Sequence, residues 1–122
     1  MHAMSWVEIP VLDFERAKAF YSRVFDFTMP QTTTSAKTMG FLRFEPGKGV
    51  GGAIVQAEGY VPSAQGALVY LAAGKDLSVV LHRVVSAGGL VQVDKTPVGP
   101  DLGFYAVFFD TEGNRLALHS PG

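Results

Sequence analysis

The sequence predicts an α+β fold made of two βαβββ modules whose open sheets form a cleft. Three observations carry that prediction. Apolar residues alternate at Val7, Ile9 and Val11, then change to three- and four-residue spacing behind Asp13. The same change occurs again around Asp76. After each helical run come short strand-like segments separated by Gly-rich turns.

The first strand is expected from about Ser5 to Val11, with Val7, Ile9 and Val11 on one face and Trp6, Glu8 and Pro10 on the other. Asp13 is a natural N-cap, and Phe14, Ala17, Phe20, Tyr21, Val24 and Phe25 give the helix behind it an apolar stripe. That helix is expected to stop at Asp26. The stretch Gln31 to Thr38 is too polar and too Thr-rich for helix core. "FLRF" (41–44) and "AIVQA" (53–57) read as strands joined by the turn "EPGKGVGG", and "EGYVPSAQG" reads as a connector. "ALVYLA" (67–72) then opens the second module. Asp76 caps a helix carrying Leu77, Val80, Leu81, Val84 and Val85, and Gly88-Gly89 ends it. "LVQV", "GFYAVFF" and "RLALH" complete the module as strands, with "DTEGN" as a tight turn between the last two.

A shift of 63 positions lays Asp13 on Asp76, Phe41 on Phe104, Ala53 on Leu116 and Gln56 on His119. The chain therefore reads as a single 122-residue domain, with module one at about 4–58, a connector at 59–66 and module two at 67–120. One helix covers only one face of its sheet, so each module is left with an open face. Setting the two open faces toward each other would enclose a cleft.

Composition narrows the partners. Net charge is −1, no Lys/Arg cluster is present, and no apolar run is long enough to span a bilayer. Neither nucleic acid nor a membrane is the expected partner, and a small molecule is. The absence of cysteine excludes disulfides, thiolate metal sites and cysteine nucleophiles. No secretory pattern opens the chain, so the cytoplasm is the expected compartment. Ser63, Ser78, Ser86 and Ser120 lack a nucleophile-elbow context, and "GKGVGG" lacks the Lys-Ser/Thr ending of a phosphate loop.

Two stretches, "VEIPVLDFERAKAFYSRVF" near the start and "FFDTEGNRLALHS" near the end, together with "VYLAAGKDLSVVLHRVVSAGG" between them, resemble the vicinal oxygen chelate superfamily. That group includes glyoxalase I, bleomycin-resistance proteins, fosfomycin-resistance enzymes and extradiol dioxygenases. The resemblance implies homodimers, in which the first module of one chain completes a cleft with the second module of the other. It also implies four metal-ligand positions, which fall here on Trp6, Gln56, Val69 or Tyr70, and Ala117. Trp and Ala cannot ligate, so no metal cofactor is expected. Asp26 stands where the family usually has Gly after the first helix, a turn that Asp tolerates.

Glu8 lies two residues after Trp6, and His119 two after Ala117, so each keeps its neighbour's strand face. Glu8 is the candidate base, since apolar neighbours strip water from a carboxylate, and His119 is its candidate acid partner. Trp6, Gln56, Tyr70, Arg43 and Tyr105 are the candidate ligand-binding residues, with Tyr60 and the Phe side chains favouring a flat or apolar molecule. If a metal is bound, Glu8, Gln56 and His119 are its expected ligands. The expected activity is binding of a small organic molecule at a dimer interface. The alternative is a metal-dependent lyase, isomerase or dioxygenase of the glyoxalase I type.

Overall fold

A computed structural model describes residues 2–122. Module one comprises β1 (Trp6–Pro10), α1 (Phe14–Val24), β2 (Gln31–Thr33), β3 (Lys37–Phe41) and β4 (Gly51–Ala57). Module two comprises β5 (Tyr70–Ala72), α2 (Leu77–Ser86), β6 (Leu90–Pro97), β7 (Phe104–Phe109) and β8 (Arg115–Ser120). Each module folds one four-stranded sheet, in the orders β1-β4-β3-β2 and β5-β8-β7-β6. The pairs β1·β4 and β5·β8 are parallel and the rest antiparallel. A parallel pair needs a crossover, and each helix supplies part of it.

The caps are as expected. The side chains of Asp13 and Asp76 accept from the backbone N–H of Arg16 and Ser78 respectively. The first helix ends against Asp26, whose φ of 52° is the left-handed turn anticipated there, and Gly88 has a φ of 104°. Four strands differ from expectation: β5 is confined to the last three residues of "ALVYLA", and β6 runs on from "LVQV" to Pro97. The third strand is Lys37–Phe41, so "FLRF" marks its end and not its span. The polar stretch before it holds β2, an edge strand that is exposed throughout and has no apolar pattern to announce it.

The largest difference lies in how the modules meet. One continuous core joins Ile9, Phe14, Phe20 and Ile54 of module one to Leu77, Val84, Phe108 and Leu118 of module two. The helices touch each other, and the Phe20 and Phe108 rings lie 6.2 Å apart. Within the chain the helical sides are thus packed together. The faces that carry Glu8 and His119 are turned away from that shared core.

A turn in module two grips module one. Asp110, Glu112 and Asn114 are all buried. Asp110 accepts from the Tyr21 hydroxyl at 2.6 Å and from the N–H groups of Glu112 and Asn114. Asn114 donates to the Pro10 carbonyl at 2.7 Å. Glu112 accepts from the N–H groups of Leu12 and Asp13 at 2.9 and 2.7 Å, and from the Arg16 guanidinium at 2.7 Å. Burial alone would raise the Glu112 carboxyl. Arg16, the Asp13 N–H, the Thr111 hydroxyl and the Leu12 N–H outweigh it and hold the group at about 2. Burial, reinforced by Asp110, pushes the Tyr21 phenol well above its ordinary range.

An acid limb in stability follows. The folded-state value for Glu112 lies below its ordinary 4.5, so its contribution is complete above about pH 4.5 and vanishes as pH falls toward 2. The loss is on the order of 2 kcal/mol once solvent screening on the Arg16 side is allowed for. Asp76, held at about 2 by the Ser78 N–H and Lys95, acts in the same sense. Urea titrations between pH 6 and 2.5 check this, and Glu112→Gln should flatten most of the slope.

Candidate functional site

Residues directly opposite each other on paired strands share a sheet face. Trp6 lies opposite Gly51 and Glu8 opposite Ala53, while Phe41 and Met39 flank β4 from the other side. These residues form the open face of the first sheet. Its floor is small and sealed, since Ala53 and Val55 are buried although they lie outside the helix-side core. Gly51 lets the Phe44 ring approach so closely that a Cβ would sit 2.6 Å from it. Phe44 in turn meets Trp6 edge-on at 6.0 Å, and Phe41 lies 6.3 Å from Trp6.

Glu8 is exposed beside this aromatic group and accepts from the Tyr60 hydroxyl at 2.6 Å. That hydrogen bond, with burial and the Glu8 charge, raises the Tyr60 phenol above its ordinary value. Tyr60 belongs to the connector, so the residue that orients the candidate base comes from the segment between the modules.

The open face of the second sheet carries Tyr70, Tyr105 and His119 around buried Val107 and Ala117. The Tyr70 and Tyr105 rings are 6.5 Å apart. His119 Nε2 lies 2.9 Å from the Leu102 carbonyl oxygen. A carbonyl only accepts, so Nε2 carries the hydrogen and Nδ1 of the neutral ring is left as an acceptor. Tyr70, Tyr105 and His119, three of the candidate site residues, therefore lie on one sheet face.

Gln56 stands apart from them. It alternates away from Glu8 onto the helical side of the first sheet, where its Oε1 accepts from the Phe14 N–H at 2.7 Å. Its counterpart in module two is Ser120, whose Oγ accepts from the Leu77 N–H at 2.8 Å. Gln56 thus matches Ser120 and not His119. The apparent shift of 63 is off by one on these strands, and one residue reverses a sheet face. The set of Glu8, Gln56 and His119 is therefore not brought together as a metal site. Trp6 and Ala117 hold no ligand atoms, and among the described residues no three His, Asp or Glu side chains group as metal ligands. The donors of this chain do not fit the metal that the resemblance would imply.

Arg43 lies beyond β3 and leaves the open face. It lines a cleft of about 430 Å³ between the modules, walled by Val7, Phe25, Leu42, Val69 and Leu71, with Tyr70 at its margin. Among the described residues no helix is long and apolar enough to cross a membrane.

Comparison with known proteins agrees with this architecture. A family model described as the Glyoxalase/Bleomycin resistance protein/Dioxygenase superfamily matches residues 3–118. A glyoxylase-like domain-containing protein from Didymella fabae is 32% identical, over 94% of this chain and 91% of the relative. Glyoxalase I from Zea mays superposes with a TM-score of 0.73 at 19% identity, covering 96% of this chain. This chain spans only 44% of that enzyme's length. TnmS3, an antibiotic binding protein from Streptomyces sp. CB03234, superposes with a TM-score of 0.65 at 21% identity, covering 100% of this chain and 98% of its own. The repeated modules, the mixed sheets and the sequence match converge, and the chain belongs to the glyoxalase/bleomycin resistance protein/dioxygenase superfamily.

Proposed function

We propose that this chain binds a flat, largely apolar small molecule without a metal, in a site completed by a second copy. The observation that carries this reading is the Glu8–Tyr60 hydrogen bond set beside the Trp6, Phe41 and Phe44 rings on a face turned away from the core. A sealed floor of small residues under an aromatic rim suits a planar body, and the Glu8 carboxylate fixes a donor on it. Tyr70, Tyr105 and the free Nδ1 of His119 offer a second such face within the same chain. Because the helical sides are already packed together, the two faces meet only if one chain's first module stands against another's second.

Size-exclusion chromatography with light scattering should give a dimer, and a monomer would contradict the shared site. Native mass spectrometry of freshly purified protein should show a carried-over aromatic compound. For that compound, Glu8→Gln and Tyr60→Phe should each weaken binding about tenfold, as expected for loss of a charge-assisted hydrogen bond. Unchanged affinity in both variants would remove Glu8 from the site. Turnover that Glu8→Gln abolishes with affinity intact would make the protein an enzyme.

A further inference from the structure

We infer a second binding site inside each protomer, adjoining the open-face site at Gly51, Phe44 and Tyr70, for an amphiphilic anion with an apolar body and a carboxylate or phosphate head. The cleft of about 430 Å³ is an unfinished part of the core. Val7, Phe25, Leu42, Val69 and Leu71 each pack one side against the buried cluster and turn another to the cleft, and all five remain partly exposed. Its volume is in the range that holds small ligands.

At Phe25, Arg43 and Ala72 the cleft joins a wider hollow of about 930 Å³. Five charged residues line that hollow: Arg43, Lys75, Arg83, Glu45 and Asp76. The acids already have partners. Asp76 pairs with Lys95 at 3.0 Å and caps α2, and Glu45 pairs with Lys48 at 3.2 Å. Arg43, Lys75 and Arg83 form no side-chain ion pair among the described residues. An apolar cleft thus opens onto three uncompensated cations, the complement of a hydrophobic tail and an anionic head.

The duplication explains why the hollow exists. In module two the turn between β7 and β8 fills the space at the start of α1 through Glu112. The equivalent connection in module one, between β3 and β4, borders the start of α2 through Arg43, Phe44 and Glu45 and leaves it open.

Isothermal titration with decanoate and with decyl phosphate tests the assignment, with 1-decanol as the neutral control. One decanoate or decyl phosphate per protomer is expected, bound at least tenfold more tightly than 1-decanol. Arg43→Ala should weaken the anions about tenfold and leave 1-decanol unchanged. Ala67→Trp, at an exposed loop position lining the cleft, should block all three without loss of fold. Glu8→Gln should leave decanoate affinity unchanged, which separates this site from the open-face site. Absence of anion binding would overturn the inference, as would insensitivity to both Arg43→Ala and Ala67→Trp. Affinity that falls as rising protein concentration drives dimerisation would show a second copy covering the cleft, and would also overturn it.

Discussion

Glu112→Ala should destabilise the protein by about 3–4 kcal/mol, which for a chain of this size lowers the melting temperature by about 10–15 °C. The Glu112 side chain is fully buried, and it is the acceptor for two backbone N–H groups of the other module and for Arg16. Truncation leaves the Leu12 and Asp13 donors without their partner in a part-buried place, and that is costlier than losing a balanced pair. Glu112→Gln keeps one oxygen acceptor and should lose about half as much. Arg16→Met should lose about 1 kcal/mol or less, because half of that side chain is in solvent. Chemical denaturation of the three variants gives the ranking. If Glu112→Ala fell no further than Arg16→Met, the carboxylate would be an ordinary surface ion pair and the backbone contacts would carry nothing.

Gly103→Ala is the second large effect, expected at about 2–4 kcal/mol. Gly103 has a φ of 78°, where an L side chain costs about 1–2 kcal/mol by itself. A Cβ there would also lie 2.4 Å from the Ser120 carbonyl oxygen and 3.1 Å from His119 Nε2. The first neighbour is backbone and cannot swing aside. The loop from Val98 to Gly103 must therefore move, and with it the Leu102 carbonyl that holds the imidazole. Gly99→Ala is the control, since its Cβ would meet only Leu102 Cδ1 at an ordinary 3.5 Å. Thermal melts should separate the two variants. Imidazole proton shifts of His119 should change in the first and not in the second, and a rigid, unchanged His119 signal in Gly103→Ala would refute the coupling.

Local rules made the helices and their caps readable. Asp13 and Asp76 each precede an apolar stripe, and cap chemistry acts over three residues or fewer. The repeat was readable for the same reason. Strand faces were harder. A repeat judged by helices can slip by one on strands with no visible mark, and that slip sent Gln56 to the wrong side of its sheet. The second strand, Gln31–Thr33, has no buried face to impose a pattern. Glu112 looked like one polar residue of a tight turn, because its partners lie about a hundred positions away in the sequence. Trp6, Glu8 and Tyr60 were legible as residue types, yet only tertiary placement of the connector brings the phenol to the carboxylate.

The grip of Glu112 on the start of the first helix has a consequence for how halves of this kind combine. The second half supplies the carboxylate acceptor and the first supplies the N–H groups it holds. A tandem of two first halves would lack this acceptor turn altogether. The two halves are therefore not interchangeable, although they share one plan.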